Sequence, residues 1–458
     1  MPYIMKPADI HPILAEIGIP FFFMDGFSWS FAISVITLAF VVYLTLVIES
    51  TRMDWLSLIM GLLMTAFCLL SIQTREIAAI LVSWAVIDIG EFLLLLFRIK
   101  EKERVAGIIK SFSFRIVSVV LFLWGTSDAS VLIIAAAIRV MVVPIGKFTL
   151  DELTMPKSMV HFMSIISPVS AFIAFSQIAL IKGEELINPT LYIIILAIGV
   201  SASYLWYHAA DAFEGRRYWI ITTGSFLMLS SLRGLPLASI SWGITLVLGG
   251  GLLFYSDTNG GKPLFPFIGL LAITSIPFMP TWDGASLYTA ALNYSTVVLV
   301  FAQSLLVAGY FKHIKKSKSS TAPERWVQLI NPGRMVLIIS IYWLIAFLLW
   351  RDGILLNNST PLLLGKQIID YYIGFVIVFI SLLLFLFARS QNRALQRIRS
   401  IKITPISFDW VKKIDYMIFQ FIDSIMQGFS VLVEGESGIL LTLLLLALVI
   451  TFFIQGTQ

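Results

Sequence analysis

The sequence predicts an all-α, polytopic membrane protein of about fourteen transmembrane helices, and three observations carry that prediction. Hydrophobic residues make up 58% of the 458 residues and charged residues only 13%, with a mean hydropathy of +0.91. A soluble domain carries roughly 25% charged residues, so this surface is built for hydrocarbon. Apolar runs matching the roughly 20 residues a helix needs to cross a bilayer recur from residue 26 to residue 455. They lack the ten-residue alternation of membrane barrel strands.

The runs place spans at 26–50, 55–73, 77–98, 110–125, 129–146, 156–181, 189–210, 217–231, 236–256, 264–282, 286–311, 334–350, 367–388 and 437–455. Residues 1–25 contain Lys6, Asp9, Glu16 and Asp25 and lack the basic-then-apolar order of a signal peptide. They are expected to form an extramembrane tail before a helical core over 26–311. A basic, Ser-rich loop is expected over 312–333, and further helices over 334–458. Within the last part, 408–432 mixes apolar and charged positions at helical spacing, which fits either a helix lying on the membrane surface or an amphipathic linker.

Charge sets the orientation. Links after odd-numbered spans hold 24 of the 32 Lys and Arg residues, including Arg98, Lys100, Lys102, Arg104 and Lys110. The N-terminal tail and the links after even-numbered spans hold six, and, with residues at span ends counted with the adjacent link, only Arg115 and Arg139 lie inside spans. The positive-inside rule then places odd-numbered exits in the cytoplasm and both termini outside. The pI near 9.1 is therefore a topology signal, and no nucleic-acid partner is expected. The expected setting is a bacterial or archaeal plasma membrane or an organellar inner membrane, with the lipid bilayer as solvent.

Ionisable groups inside spans are costly and mark a functional site or a buried pair. The candidates are Asp88 and Glu91 in the third span, Arg115 in the fourth, Arg139 in the fifth, His161 in the sixth and Asp283 closing the tenth. Prolines accompany them: Pro144 five residues after Arg139, Pro168 in the sixth span, Pro277 in the tenth. A proline removes a backbone hydrogen bond, so broken helices are expected near Pro144 and Pro168. Such breaks line ion paths in transporters, though a proline in a membrane helix is also an ordinary kink.

The residues also resemble a family in order along the chain. Asp25-Gly26-Phe27-Ser28, Trp84, Glu91-Phe92-Leu93-Leu94, Arg139 with Pro144, Asp151 with Pro156, Glu214-Gly215-Arg216-Arg217 with Thr222-Thr223, Trp242 to Tyr255, and Ser275-Ile276-Pro277-Phe278 are its landmarks. Together they resemble the antiporter-like membrane subunits of respiratory complex I, of membrane hydrogenases and of Mrp-type cation/proton antiporters, over about residues 25–285. The chain opens where that family's third helix would, so the resemblance implies two helices fewer.

The resemblance implies proton or cation translocation through a chain of titratable groups, with other integral membrane subunits as partners. Several of those groups are exchanged here. The family's W-E glutamate falls on Ala85, its K-x-x-x-x-P lysine on Arg139, its histidine on Ser164 or Ala174, and its late lysine on Ala285. Arginine stays protonated in proteins, and alanine cannot titrate. Two readings follow: a relay shifted by a turn onto Asp88, Glu91, His161 and Asp283, or a set of buried pairs in a non-conducting structural or coupling subunit. An unrelated secondary solute transporter is a third.

No catalytic constellation is visible, so the chain is at most a non-catalytic subunit of an oxidoreductase or ion-translocating complex. Cys68 and four scattered histidines predict no metal site and no bound cofactor. Gly249-Gly250-Gly251 lies in an apolar span and reads as close helix packing.

Overall fold

A computed structural model of the chain describes residues 26–49, 55–74, 77–99, 105–125, 129–141, 155–182, 189–256, 264–289, 294–316, 325–356 and 368–397. The tail, Pro144, the 408–432 segment and the span at 437–455 lie outside the described residues.

Thirteen of the fourteen expected spans coincide with helical segments. They are α1 (Gly26–Glu49), α2 (Trp55–Gln73), α3 (Ile77–Arg98), α4 (Val105–Trp124), α5 (Ala129–Met141), α6 (Lys157–Lys182) and α7 (Pro189–His208). After them come α8 (Ala212–Leu232), α9 (Pro236–Phe254), α10 (Leu264–Ala272), α11 (Tyr294–Lys316), α12 (Arg325–Leu356) and α13 (Ile368–Arg397). Eight of the described helices are long and apolar enough to cross a membrane on length and composition.

Several helices outrun the hydropathy that located them. The Asp211 carboxylate caps α8 by accepting from the Glu214 N–H at 2.8 Å, so the helix begins before its apolar stretch. Likewise α11 continues to Lys316 and α12 starts at Arg325, so the segment read as a loop over 312–333 is helical at both ends. Apolar content marks only the part of a helix that lies in hydrocarbon; its hydrogen bonds run on beyond that part.

The bundle is organised around α6. Its membrane stretch is wholly buried, packed against α1, α2, α3, α5, α8 and α9. The outward faces are apolar instead: Trp55 and Ile59 on α2, Ile193 on α7, Phe347 on α12 and Phe379 on α13 are all exposed. An apolar exterior around a core holding buried charges is the arrangement that hydrocarbon solvent selects. The chain is an integral membrane protein.

Side-chain bonds confirm that the helices alternate in direction. Arg334 near the start of α12 bonds Thr45 at the end of α1 and the Tyr255 carbonyl after α9, while the Tyr255 hydroxyl donates to the Ser158 carbonyl at the start of α6. At the opposite end Arg233, just after α8, donates to Ser295 at the start of α11, which also meets Tyr192 at the start of α7. These pairings gather the ends of α1 and α9 with the starts of α6 and α12, and the end of α8 with the starts of α7 and α11.

The expected break at Pro168 is absent: α6 runs unbroken from Lys157 to Lys182 with the proline inside it. Pro168 has no N–H to give the Ser164 carbonyl four residues earlier, and α6 stays helical through it. Cys68 of α2 approaches the Ile166 carbonyl, with its sulfur 3.8 Å away, and the Ser170 hydroxyl donates to the Ser167 carbonyl at 2.8 Å. Packing on all sides then holds the axis.

The tenth span is interrupted five residues before Pro277. α10 stops at Ala272 and the backbone stays non-helical until a short 3-10 turn, Asp283–Ala285, with left-handed φ at Ser275 (55°) and Phe278 (66°). A second irregularity is a π-helical turn inside α9, Thr245–Gly249. Its carbonyls are met by neighbouring aromatics, Trp219 Nε1 on Leu246 (3.3 Å) and the Tyr310 hydroxyl on Gly249 (3.1 Å).

Candidate functional site: a buried quartet of two arginines and two carboxylates

Helix α3 places Trp84, Asp88 and Glu91 on one face by their four- and three-residue spacing. Helices α4 and α5 bring arginines to that face. The Ser118 hydroxyl of α4 donates to the Ala135 carbonyl of α5 at 2.9 Å, which ties the two helices together one turn from Arg115 and one turn from Arg139.

Four of the six charged candidates therefore meet. Arg139 holds Asp88 through two bonds, Nη1 to Oδ2 and Nη2 to Oδ1, each 2.6 Å. Arg115 Nη1 bridges the two carboxylates, 2.9 Å from Asp88 Oδ1 and 2.5 Å from Glu91 Oε2. Arg139 also donates to the Trp84 carbonyl at 3.3 Å and lies 4.6 Å from the centre of the Trp84 ring, which packs on Phe122. None of the four is more than 4% exposed. Two cations face two carboxylates, so the quartet is neutral as a unit. Charged groups removed from water survive only when paired and hydrogen-bonded.

The satisfaction is uneven. Asp88 accepts three N–H bonds over its two oxygens. Glu91 accepts one on Oε2, while its Oε1 has no partner, and neither do Arg115 Nε and Nη2. Two small crevices lie between α3 and α4 beside these atoms. One is lined by Asp88, Glu91, Phe92, Leu95, Ile108, Phe112 and Arg115. The other lies between Ala85, Asp88, Ile89, Phe112, Ile116 and Val119. Each is about 10 Å³, roughly the room one water molecule needs.

His161 and Asp283 stand apart from the quartet. His161, in the second turn of α6, is buried and stacks on Phe254 at 4.8 Å, with Phe213 and Tyr255 edge-on and its Nδ1 without a partner. Asp283 is buried in the turn after the broken helix, beside the start of α9. The broken stretch is held by residues that hydropathy does not single out. Gln303 Nε2 donates to the Ile273 carbonyl (2.8 Å) and to Ser275 Oγ (2.9 Å), and Thr281 Oγ1 donates to Ala272 and accepts from the Ser275 N–H. Ser241 Oγ donates to the Pro280 carbonyl at 2.8 Å. A lone amide in an apolar span was the available signal for Gln303.

No family model matches the sequence, and no curated protein matches it. Solved structures do match its fold. One is a chain of the Mrp complex from Dietzia sp. DQ12-45-1b, with TM-score 0.60 and 12% identity over 95% of this chain and 56% of that one. Another belongs to respiratory complex I from Thermus thermophilus, with TM-score 0.55 and 15% identity over 76% and 90%. A third comes from the membrane-bound sulfane sulfur reductase, an archaeal respiratory membrane complex, with TM-score 0.51 and 16% identity over 69% and 81%. The chain shares their fold. It spans only 56% of the Mrp chain's length. The fold expected from the order of landmarks between residues 25 and 285 is the one found. The quartet lies on α3 to α5, the stretch that also holds Ala85.

Proposed function

We propose that this chain is an antiporter-like membrane subunit of an assembly related to complex I or to an Mrp antiporter, contributing to proton or cation translocation alongside other integral membrane subunits. The observation that carries the reading is the charged quartet sealed inside this fold. Four ionisable side chains on three adjacent helices are a costly feature in hydrocarbon, and Glu91 keeps a free oxygen beside a crevice sized for water. In this reading both termini lie outside and the odd-numbered helix exits face the cytoplasm, as the basic residues require.

A second reading rests on a specific observation. Arg139 and Arg115 close Asp88 on both of its oxygens, and arginine does not release its proton. A quartet built this way also suits a structural or coupling subunit that keeps the fold without conducting. The solute-transporter reading gains nothing from crevices of about 10 Å³.

The test has two parts. Mild-detergent purification of the tagged chain should bring down further polytopic membrane polypeptides, and the assembly reconstituted in vesicles should move protons or monovalent cations. Loss of that movement in Glu91→Gln, with the assembly intact, supports conduction through the quartet. Assembly without any ion movement in the unaltered protein leaves the structural reading, and purification of the chain alone counts against both.

A further inference from the structure

We infer that Glu91, and not Asp88, is the proton-binding carboxyl of the quartet, loaded from a water in the crevice between α3 and α4. The assignment names the proton site within the function proposed above and rests on that reading of the chain.

Among the four groups only the carboxylates can change charge, because arginine stays protonated. Hydrogen bonds to a carboxylate favour its charged form. Asp88 receives three, and both of its oxygens are taken by guanidinium N–H groups. A proton reaching Asp88 would have to displace one of them. Glu91 receives one bond, on Oε2, and its Oε1 is both buried and unpartnered. A proton can settle on Oε1 while Arg115 keeps Oε2.

The crevice supplies room for one water beside the quartet. Its lining runs from Asp88 and Glu91 along Phe92 and Leu95 of α3, and from Arg115 along Phe112 and Ile108 of α4. It thus extends from the quartet toward the ends of α3 and α4 that their link joins, where Arg98 stands. The second crevice, reaching the other way from Asp88 to Val119, has no polar side chain but Asp88. One water in the first crevice would have Asp88, Glu91 and Arg115 as its polar neighbours.

In the loading step a hydronium delivered through this water breaks one of its O–H bonds, and a new O–H bond forms at Glu91 Oε1. No electrons are exchanged, and the quartet passes from neutral to a charge of plus one. The charged and titratable groups around Glu91 are Asp88 on its own helix, Arg115 on α4, Arg139 on α5 and Cys68 on α2. On α6, Lys157 and His161 lie in the first two turns, and His161 packs toward α8 and α9.

The experiment is infrared difference spectroscopy of the full chain in lipid nanodiscs, stepped from alkaline to acidic buffer. A carbonyl-stretch band of a protonated carboxylic acid in apolar surroundings should grow on acidification. It should shift when the protein is labelled with isotopic glutamate and stay put with isotopic aspartate. The band should be absent in Glu91→Gln and return, displaced, in Glu91→Asp. Absence of any such band in the unaltered protein, its response to labelled aspartate, or its persistence in Glu91→Gln overturns the assignment. The label readout does not depend on a variant folding. If the band behaves as expected but the reconstituted assembly moves no ions, the proton site stands and the conducting function falls.

Discussion

Arg139 and Asp88 are joined by two parallel N–H···O bonds of 2.6 Å between α5 and α3. This fork is the best-formed contact in the quartet. Lysine offers a point charge, whereas a guanidinium matches both carboxylate oxygens at once. Arg139→Ala should destabilise the protein by about 3–5 kcal/mol, because it strands a buried carboxylate. Arg139→Lys should cost less than the alanine change, since the charge survives and only one bond of the fork is lost. Thermal unfolding in detergent measures both. An Arg139→Lys midpoint equal to that of the unaltered protein would show that the fork geometry contributes nothing.

Asp88 and Glu91 should respond unequally to removal of charge. Asp88→Asn replaces the acceptor of three charged bonds and Glu91→Gln the acceptor of one. Hydrogen bonds to charged groups contribute about 1.5–3 kcal/mol each. The unfolding midpoint should therefore fall further for Asp88→Asn than for Glu91→Gln. The reverse order would contradict the bonding pattern.

The non-helical stretch between Ala272 and Asp283 depends on Gln303. Its amide supplies donors to Ile273 and Ser275, and on α13 a Cβ at Gly374 would lie 2.5 Å from the Ser275 carbonyl oxygen, so α13 backs closely onto the same stretch. Gln303→Leu leaves a buried carbonyl without its donor, at about 1–3 kcal/mol. Hydrogen exchange should rise across 273–282 while α3 to α5 stay protected. Uniform exchange throughout the bundle would point to global destabilisation instead.

Close packing of α6 on α8 turns on Gly224. A Cβ there would lie 1.8 Å from Phe172 Cζ, so Gly224→Ala forces the ring off its position. Overpacking of this kind costs typically about 1–3 kcal/mol. Adding Phe172→Leu should recover part of the loss, which a double-mutant cycle on unfolding midpoints reads directly. Simple additivity of the two changes would mean they do not touch.

What the sequence alone determined is whatever the solvent imposes. Hydrocarbon demands long apolar helices with every backbone group bonded inside, so hydropathy placed the spans, and the basic residues of the links set their parity. The same economy of charge in hydrocarbon made Asp88, Glu91, Arg115 and Arg139 legible as candidates, since few other ionisable groups lie at that depth. Tertiary structure alone decided who pairs with whom. Arg139 meets Asp88 from 51 positions away and Arg115 meets Glu91 from 24, and no hydropathy pattern encodes either pairing. Pro168 shows the same limit. A proline announces a lost hydrogen bond, but α6 is held on all sides by helices distant in sequence and stays unbroken. The unpartnered oxygen of Glu91 is likewise a property of the assembled bundle, because one arginine reaches Asp88 with both arms and leaves Glu91 a single bond.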